Sequence, residues 1–162
     1  MVGISNLYIK TTLDELPLKY WTGVFSMDQL TLPIPDYDFA VIVNFSNLNE
    51  KGTHFVALVQ IKQHLVLFDS LATPYEFLPE RLQNIMTQYN GQYLLPYPIQ
   101  DETSEFCGFY AMYFILYLSL PRSVRNQFNP NQFSSTNLLR NDVKCIQLIT
   151  CLLYTSPSPR DS

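Results

Sequence analysis

Four residues of this chain have types and an order that could do acyl-transfer chemistry: His54, Asp69, Gln100 and Cys107. Cys107-Gly108 follows a polar run, Gln100 to Glu105, and opens an apolar stretch that continues to Leu120. The first turn of a helix is a positive field in which a thiolate is favoured over a thiol. Gln100, on the approach, offers an amide donor. A free cysteine is ordinarily a small buried hydrophobe. Cys145 and Cys151, inside a later apolar stretch, are read that way, and Cys107 departs from it by its place behind a polar run. A nucleophilic thiol also needs a base. The chain has only two histidines, His54 and His64.

Hairpin parity separates the two. His54 to Gln60 and His64 to Asp69 read as apolar strands joined by a tight turn, hence as an antiparallel hairpin. A four-residue loop over Gln60–Gln63, or a two-residue loop at Ile61-Lys62, places Val59 opposite His64 and His54 opposite Asp69. Opposed residues share a face, with Cβ atoms about 4.5–5.5 Å apart. His64 lies an odd number of residues from Asp69 and so points to the other face. His54 is thus the candidate base, and His64 a structural or surface histidine.

The remaining elements must hold these groups in place. Phe39 to Phe45 reads as a central strand buried on both faces. Ser46 to Gly52 reads as a polar loop. Thr11 or Thr12 caps at most one helical turn before Pro17. Tyr20 to Phe25 reads as extended chain, and Ser26 to Leu30 as a short turn. A helix is expected from Pro79 to about Tyr89, with Leu82, Ile85, Met86 and Tyr89 inward and Asn90-Gly91 as its stop. A short strand is expected at Gln92 to Leu95. The next helix, capped by Thr103 or Ser104, is apolar on every side and therefore buried. It is shorter than the about 20 apolar residues a bilayer needs. Arg122 to Thr136 reads as loop with a short turn. A last helix, capped by Ser135 or Asn137, covers Leu138 to about Leu153. The fold class is α+β: a central mixed sheet packed against the buried helix that carries Cys107.

A chain of 162 residues suits one domain, placed at residues 1–151. Leu152 to Ser162, LLYTSPSPRDS, is read as a disordered or non-native Ser/Pro tail; it resembles the translation of a sequencing adapter. The net charge of −4 and pI near 5.0 give no attraction to nucleic acid or anionic lipid. Three scattered cysteines suit a reducing compartment better than a disulfide framework. No apolar leader precedes residue 20, so no secretion signal is evident. No zinc-ligand spacing and no phosphate-binding glycine loop is present, so neither a metal nor another cofactor is expected.

Together the four residues could supply a nucleophile (Cys107), a base (His54), an acid that orients the base (Asp69) and an oxyanion donor (Gln100). GTHFVAL (52–58), LFDS (67–70) and Gln100 six residues ahead of CGFYAMYFI (107–115) resemble the adenain-like cysteine proteases. These are the adenovirus maturation protease and its relatives in polinton elements, within the clan of ubiquitin-like-protein proteases. YWTGVFSMDQL (20–30), VIVN (41–44) and LRNDVKCI (139–146) extend the resemblance over roughly residues 20–150. It implies the adenain-type fold and the four roles just given. It also implies a monomeric endopeptidase acting on capsid or other precursor proteins, at Gly-containing sites, inside the host nucleus or the virion. Phe55 stands where many relatives have Trp, and Asp69 where the adenovirus enzyme has Glu. No cysteine precedes Gln100, so a disulfide-tethered peptide activator is not supported, and a peptide or DNA activator stays open. The alternatives are an isopeptidase for ubiquitin-like modifiers, an acyltransferase and an inactive binding module.

Overall fold

The computed structural model describes residues 5–47, 54–125 and 129–155. Five strands form one mixed sheet: β1 (Trp21–Ser26), β2 (Phe39–Asn44), β3 (Phe55–Ile61), β4 (His64–Phe68) and β5 (Gln92–Tyr93), in that spatial order. The inner pairs β2–β3 and β3–β4 are antiparallel; the outer pairs β1–β2 and β4–β5 are parallel. Most of the expected loop at Ser46 to Gly52 lies outside the described residues.

Both faces of the sheet are covered, as the unbroken apolar run in β2 requires. On one face Phe39, Val41, Val43, Val56, Leu58, Leu65 and Leu67 pack against α2 (Glu80–Gln88) through Leu82, Ile85 and Met86. Asn90 takes a left-handed φ of 52°, and Gly91 N–H returns to the Met86 carbonyl at 2.8 Å, closing α2 as a Schellman turn. On the other face Ala40, Ile42, Phe55, Ala57 and Phe68 meet α3 (Cys107–Leu118). Phe68 stacks on Phe114 with ring centroids 4.6 Å apart. Beyond α3 lie α1 (Asn6–Asp14) and α5 (Leu138–Thr155), so α3 is enclosed, as its apolar sequence demands.

Several boundaries differ from expectation. The N-terminal segment holds a nine-residue helix instead of a single turn. Ser5 caps it by accepting the Tyr8 N–H, not Thr11 or Thr12, and Ile9 and Leu13, four residues apart, bury one face completely. Trp21 Nε1 donates to Asp14 at 2.7 Å and ties that helix to β1. The strand expected over 92–95 is only two residues long. Part of the expected loop at 122–136 forms α4 (Arg122–Arg125). The last helix runs to Thr155 with Leu152 buried, so the first residues of the expected tail are helical; residues 156–162 lie outside the described residues. Cys145 is buried on this helix as expected, but Cys151 is exposed, because it falls outside the stripe of Asn141, Cys145, Leu148 and Leu152 that faces the core. Among the described residues no helix is long and apolar enough to cross a membrane.

Candidate active site

His54 stands just before β3. Its carbonyl accepts the Phe45 N–H at 2.9 Å, and the Phe45 ring meets the imidazole edge-on with centroids 4.9 Å apart. Asp69 stands just after β4. The hairpin between them turns at Lys62-Gln63, both at positive φ (51° and 65°), one position later than the two-residue loop expected. Ile61 therefore pairs with His64 and Val59 with Val66, so His54 and Asp69 are not directly opposed. The slip is two residues, which preserves the face, and a diagonal neighbour is still within reach of long side chains. His54 Nε2 and Asp69 Oδ1 are 2.7 Å apart. His64 ends at the exposed turn, away from the pair.

Asp69 is held from its own loop as well. Oδ1 also accepts the Leu71 N–H at 2.9 Å, and Oδ2 the Thr73 N–H at 3.1 Å. Burial opposes the charge on this carboxylate, but the His54 hydrogen bond and charge, with the Thr73 and Leu71 bonds, hold its pKa below the usual range. Burial likewise opposes a charged His54. Hydrogen bonding and charge from Asp69, and then from Cys107, outweigh it and raise the imidazole to about 9. Since Nε2 is committed to Asp69, Nδ1 is the nitrogen left for Cys107. It is buried without a partner in hydrogen-bond geometry, so the thiol lies close enough to act on the ring but is not aligned with it.

Cys107 is the first residue of α3 and partly exposed. The helix begins later than expected, since Phe106, not Thr103 or Ser104, occupies the cap position. The first N–H groups of the helix have no intrahelical partner. Gln100 is almost wholly buried. Its Nε2 donates to the Ser104 carbonyl at 2.9 Å, and its Oε1 accepts from the Ser70 hydroxyl at 2.5 Å. A carbonyl can only accept, so Ser104 settles which end of the amide is nitrogen. Nε2 keeps a second hydrogen beyond the one bonded to Ser104.

The loop carrying Gln100 is clamped from the far side by two residues of α5 that the sequence reading passed over. Asn141 Nδ2 donates to the carbonyls of Ile99 and Ser134, each at 2.7 Å. Asp142 accepts from Ser104 Oγ and from Tyr110 Oη, each at 2.7 Å. Burial, with the Asp142 bond and charge, pushes the Tyr110 hydroxyl far up, so it remains a donor. Asn141 lies on the same helical stripe as buried Cys145, Leu148 and Leu152, and a polar residue on an apolar stripe was the available signal. Among the described residues no group of three or more His, Cys, Asp or Glu side chains could hold a metal ion.

The paired charges make stability depend on pH. The ordinary imidazole value is 6.5, so the stabilisation from His54 is complete below it and is lost as pH rises through about 9. The Asp69 contribution is present above 3.8 and is lost as pH falls through its lowered value. Denaturant melts should show wild type losing on the order of 3 kcal/mol of stability relative to His54→Ala between pH 6.5 and 9.5, at about 1.4 kcal/mol per pKa unit. A difference that stays flat over that window would mean no ion pair.

The chain matches no model of a known protein family, and no curated protein matches it in sequence.

Proposed function

We propose that this protein is a cysteine endopeptidase of the adenain type, with Cys107 as nucleophile, His54 as acid–base, Asp69 as its orienting anion and Gln100 as oxyanion donor. The observation that carries the reading is His54 Nδ1: a buried ring nitrogen without a hydrogen-bond partner, beside the partly exposed Cys107 thiol at a helix start, while Nε2 is fixed by a carboxylate. The linear order His, Asp, Gln, Cys and the motif resemblance support the family and, with it, precursor proteins of a virus or mobile element as substrates, cut at Gly-containing sites inside the cell or virion.

The thiol proton already rests on His54 Nδ1 when sulfur attacks the peptide carbonyl carbon, because an imidazole raised to about 9 is protonated at neutral pH. The electron pair displaced onto oxygen is met by the free Nε2–H of Gln100 and a backbone N–H of the first α3 turn. A histidine raised to about 9 holds this proton at neutral pH and gives it to the departing amine as the C–N bond breaks, leaving a thioester. His54, now neutral, takes a proton from water as that water attacks the thioester. Collapse releases the acid, expels the sulfur and restores the starting Cys107–His54 pair.

A peptide ending in a Gly-Gly aldehyde should be captured by wild-type protein through a hemithioacetal at Cys107 and not by Cys107→Ala. Capture in neither would sink the enzyme reading. Capture only of a folded ubiquitin-like protein bearing the same aldehyde would move the assignment to a deconjugating isopeptidase.

A further inference from the structure

We infer that Ser70 is a positioning residue for the oxyanion donor, so that the dipeptide Asp69-Ser70 orients both halves of the proposed site. This rests on the endopeptidase reading and adds to it a residue that touches neither substrate nor thiol. Asp69 turns to His54, and Ser70 turns to Gln100. The Ser70 hydroxyl donates to Gln100 Oε1 at 2.5 Å, and the Ser70 carbonyl accepts the backbone N–H groups of Ile99 and Gln100 at 2.9 and 3.0 Å. Both residues are 1% exposed, so water does not compete for these bonds.

The amide has two anchors with opposite demands. Ser104 offers a carbonyl, which takes only a donor; Ser70 offers a hydroxyl proton to the oxygen. Rotating the amide by half a turn would bring two acceptors, Oε1 and the Ser104 carbonyl, face to face. With both anchors made, one N–H remains, and its direction is fixed. Without the Ser70 hydroxyl, Oε1 is buried and unpaired, the amide keeps a single anchor, and the direction of the remaining N–H is no longer set.

The geometry also says which steps feel Ser70. An oxyanion donor acts in the transition state of acyl transfer, so its misalignment lowers kcat and spares KM. Alkylation of a thiol by iodoacetamide forms no oxyanion, and His54 keeps Asp69, so that rate is untouched.

The test uses the full chain and a fluorogenic peptidyl-Gly-Gly amide, with wild type, Ser70→Ala, Gln100→Ala and the double variant. Gln100→Ala should lower kcat by about 10²–10³, and Ser70→Ala by about tenfold with KM within about twofold. The double variant should match Gln100→Ala alone, because an anchor has nothing to orient once the amide is gone. Iodoacetamide should label Cys107 of Ser70→Ala at the wild-type rate. Multiplying losses in the double variant, or labelling that falls together with kcat, would mean that Ser70 serves only the fold and would overturn the inference, as would wild-type kcat in Ser70→Ala. Wild type that turns over no peptide overturns the endopeptidase reading, and the role of Ser70 with it; active wild type with an indifferent Ser70→Ala overturns the role alone.

Discussion

Cys107→Ala and His54→Ala should each lose peptide cleavage by about 10⁴-fold or more, while both proteins remain folded. The thiol is partly exposed at the head of α3, so its loss removes little packing. His54 is buried, but its removal does not strand Asp69: the Leu71 and Thr73 amides still bond the carboxylate. The two variants differ in what survives. Cys107→Ala has no nucleophile. His54→Ala keeps the thiol but loses both the proton acceptor of the attack and the proton donor to the leaving amine. Iodoacetamide should therefore label Cys107 of His54→Ala more slowly than wild type at pH 6, where wild type has the raised imidazole beside the sulfur. Equal labelling rates, together with surviving cleavage in either variant, would remove the Cys–His pair.

Asp69→Asn should cost less than either, about 10²–10⁴ in kcat, and should leave a signature in the pH profile. Both carboxylate oxygens act as acceptors, Oδ1 from His54 and Leu71, Oδ2 from Thr73. A carboxamide has one accepting end. If its oxygen serves His54 and Leu71, its NH₂ faces the Thr73 N–H; turned round, it faces the Leu71 N–H and the imidazole donor. One donor–donor contact is unavoidable in a buried site. Removing the anion also removes the chief influence that raises His54, so the imidazole falls from about 9 toward its ordinary 6.5 or below, since burial continues to push it down. The alkaline limb of the kcat/KM profile should move to lower pH by at least a unit. An unmoved limb would show that Asp69 does not set the charge of His54.

The residues of the candidate site were legible because the sheet turns sequence parity into a face. A hairpin with an even loop puts His54 and Asp69 on one side whether it turns at Ile61-Lys62 or Lys62-Gln63, so the register could slip by two without separating them. The turn itself was not legible. Two consecutive positive φ values favour Asn or Gly, and here Lys and Gln adopt them, with the Lys62 N–H held by Asp38 at 2.9 Å from another loop. The start of α3 was misplaced for a similar reason. Ser104 looks like a cap, and its hydroxyl does accept the Phe106 N–H at 3.2 Å while donating to Asp142 of α5, but that bond closes a turn ahead of the helix, which begins three residues on, at Cys107. Burial of Ile9 and Leu13 stabilises α1 over a β-branched stretch of weak helical propensity, which no local pattern announces. Ser70, Asn141 and Asp142 act through contacts 30 to 42 residues away in sequence, beyond any local reading.

The clamp from Asn141 and Asp142 onto the 99–110 segment makes the docking of α5 part of the site. A folded protein opens locally, element by element, with free energies below that of global unfolding. Each detachment of α5 withdraws the donors and acceptors that hold Ile99, Ser104 and Tyr110, and with them the frame of Gln100 and the first turn of α3. Under the proposed mechanism, the fraction of molecules competent at a given moment then depends on the seating of a helix that carries none of the four proposed site residues. On warming, competence would fade ahead of the melting of the sheet, and anything that pins or loosens α5 would act on turnover from a distance without meeting the substrate.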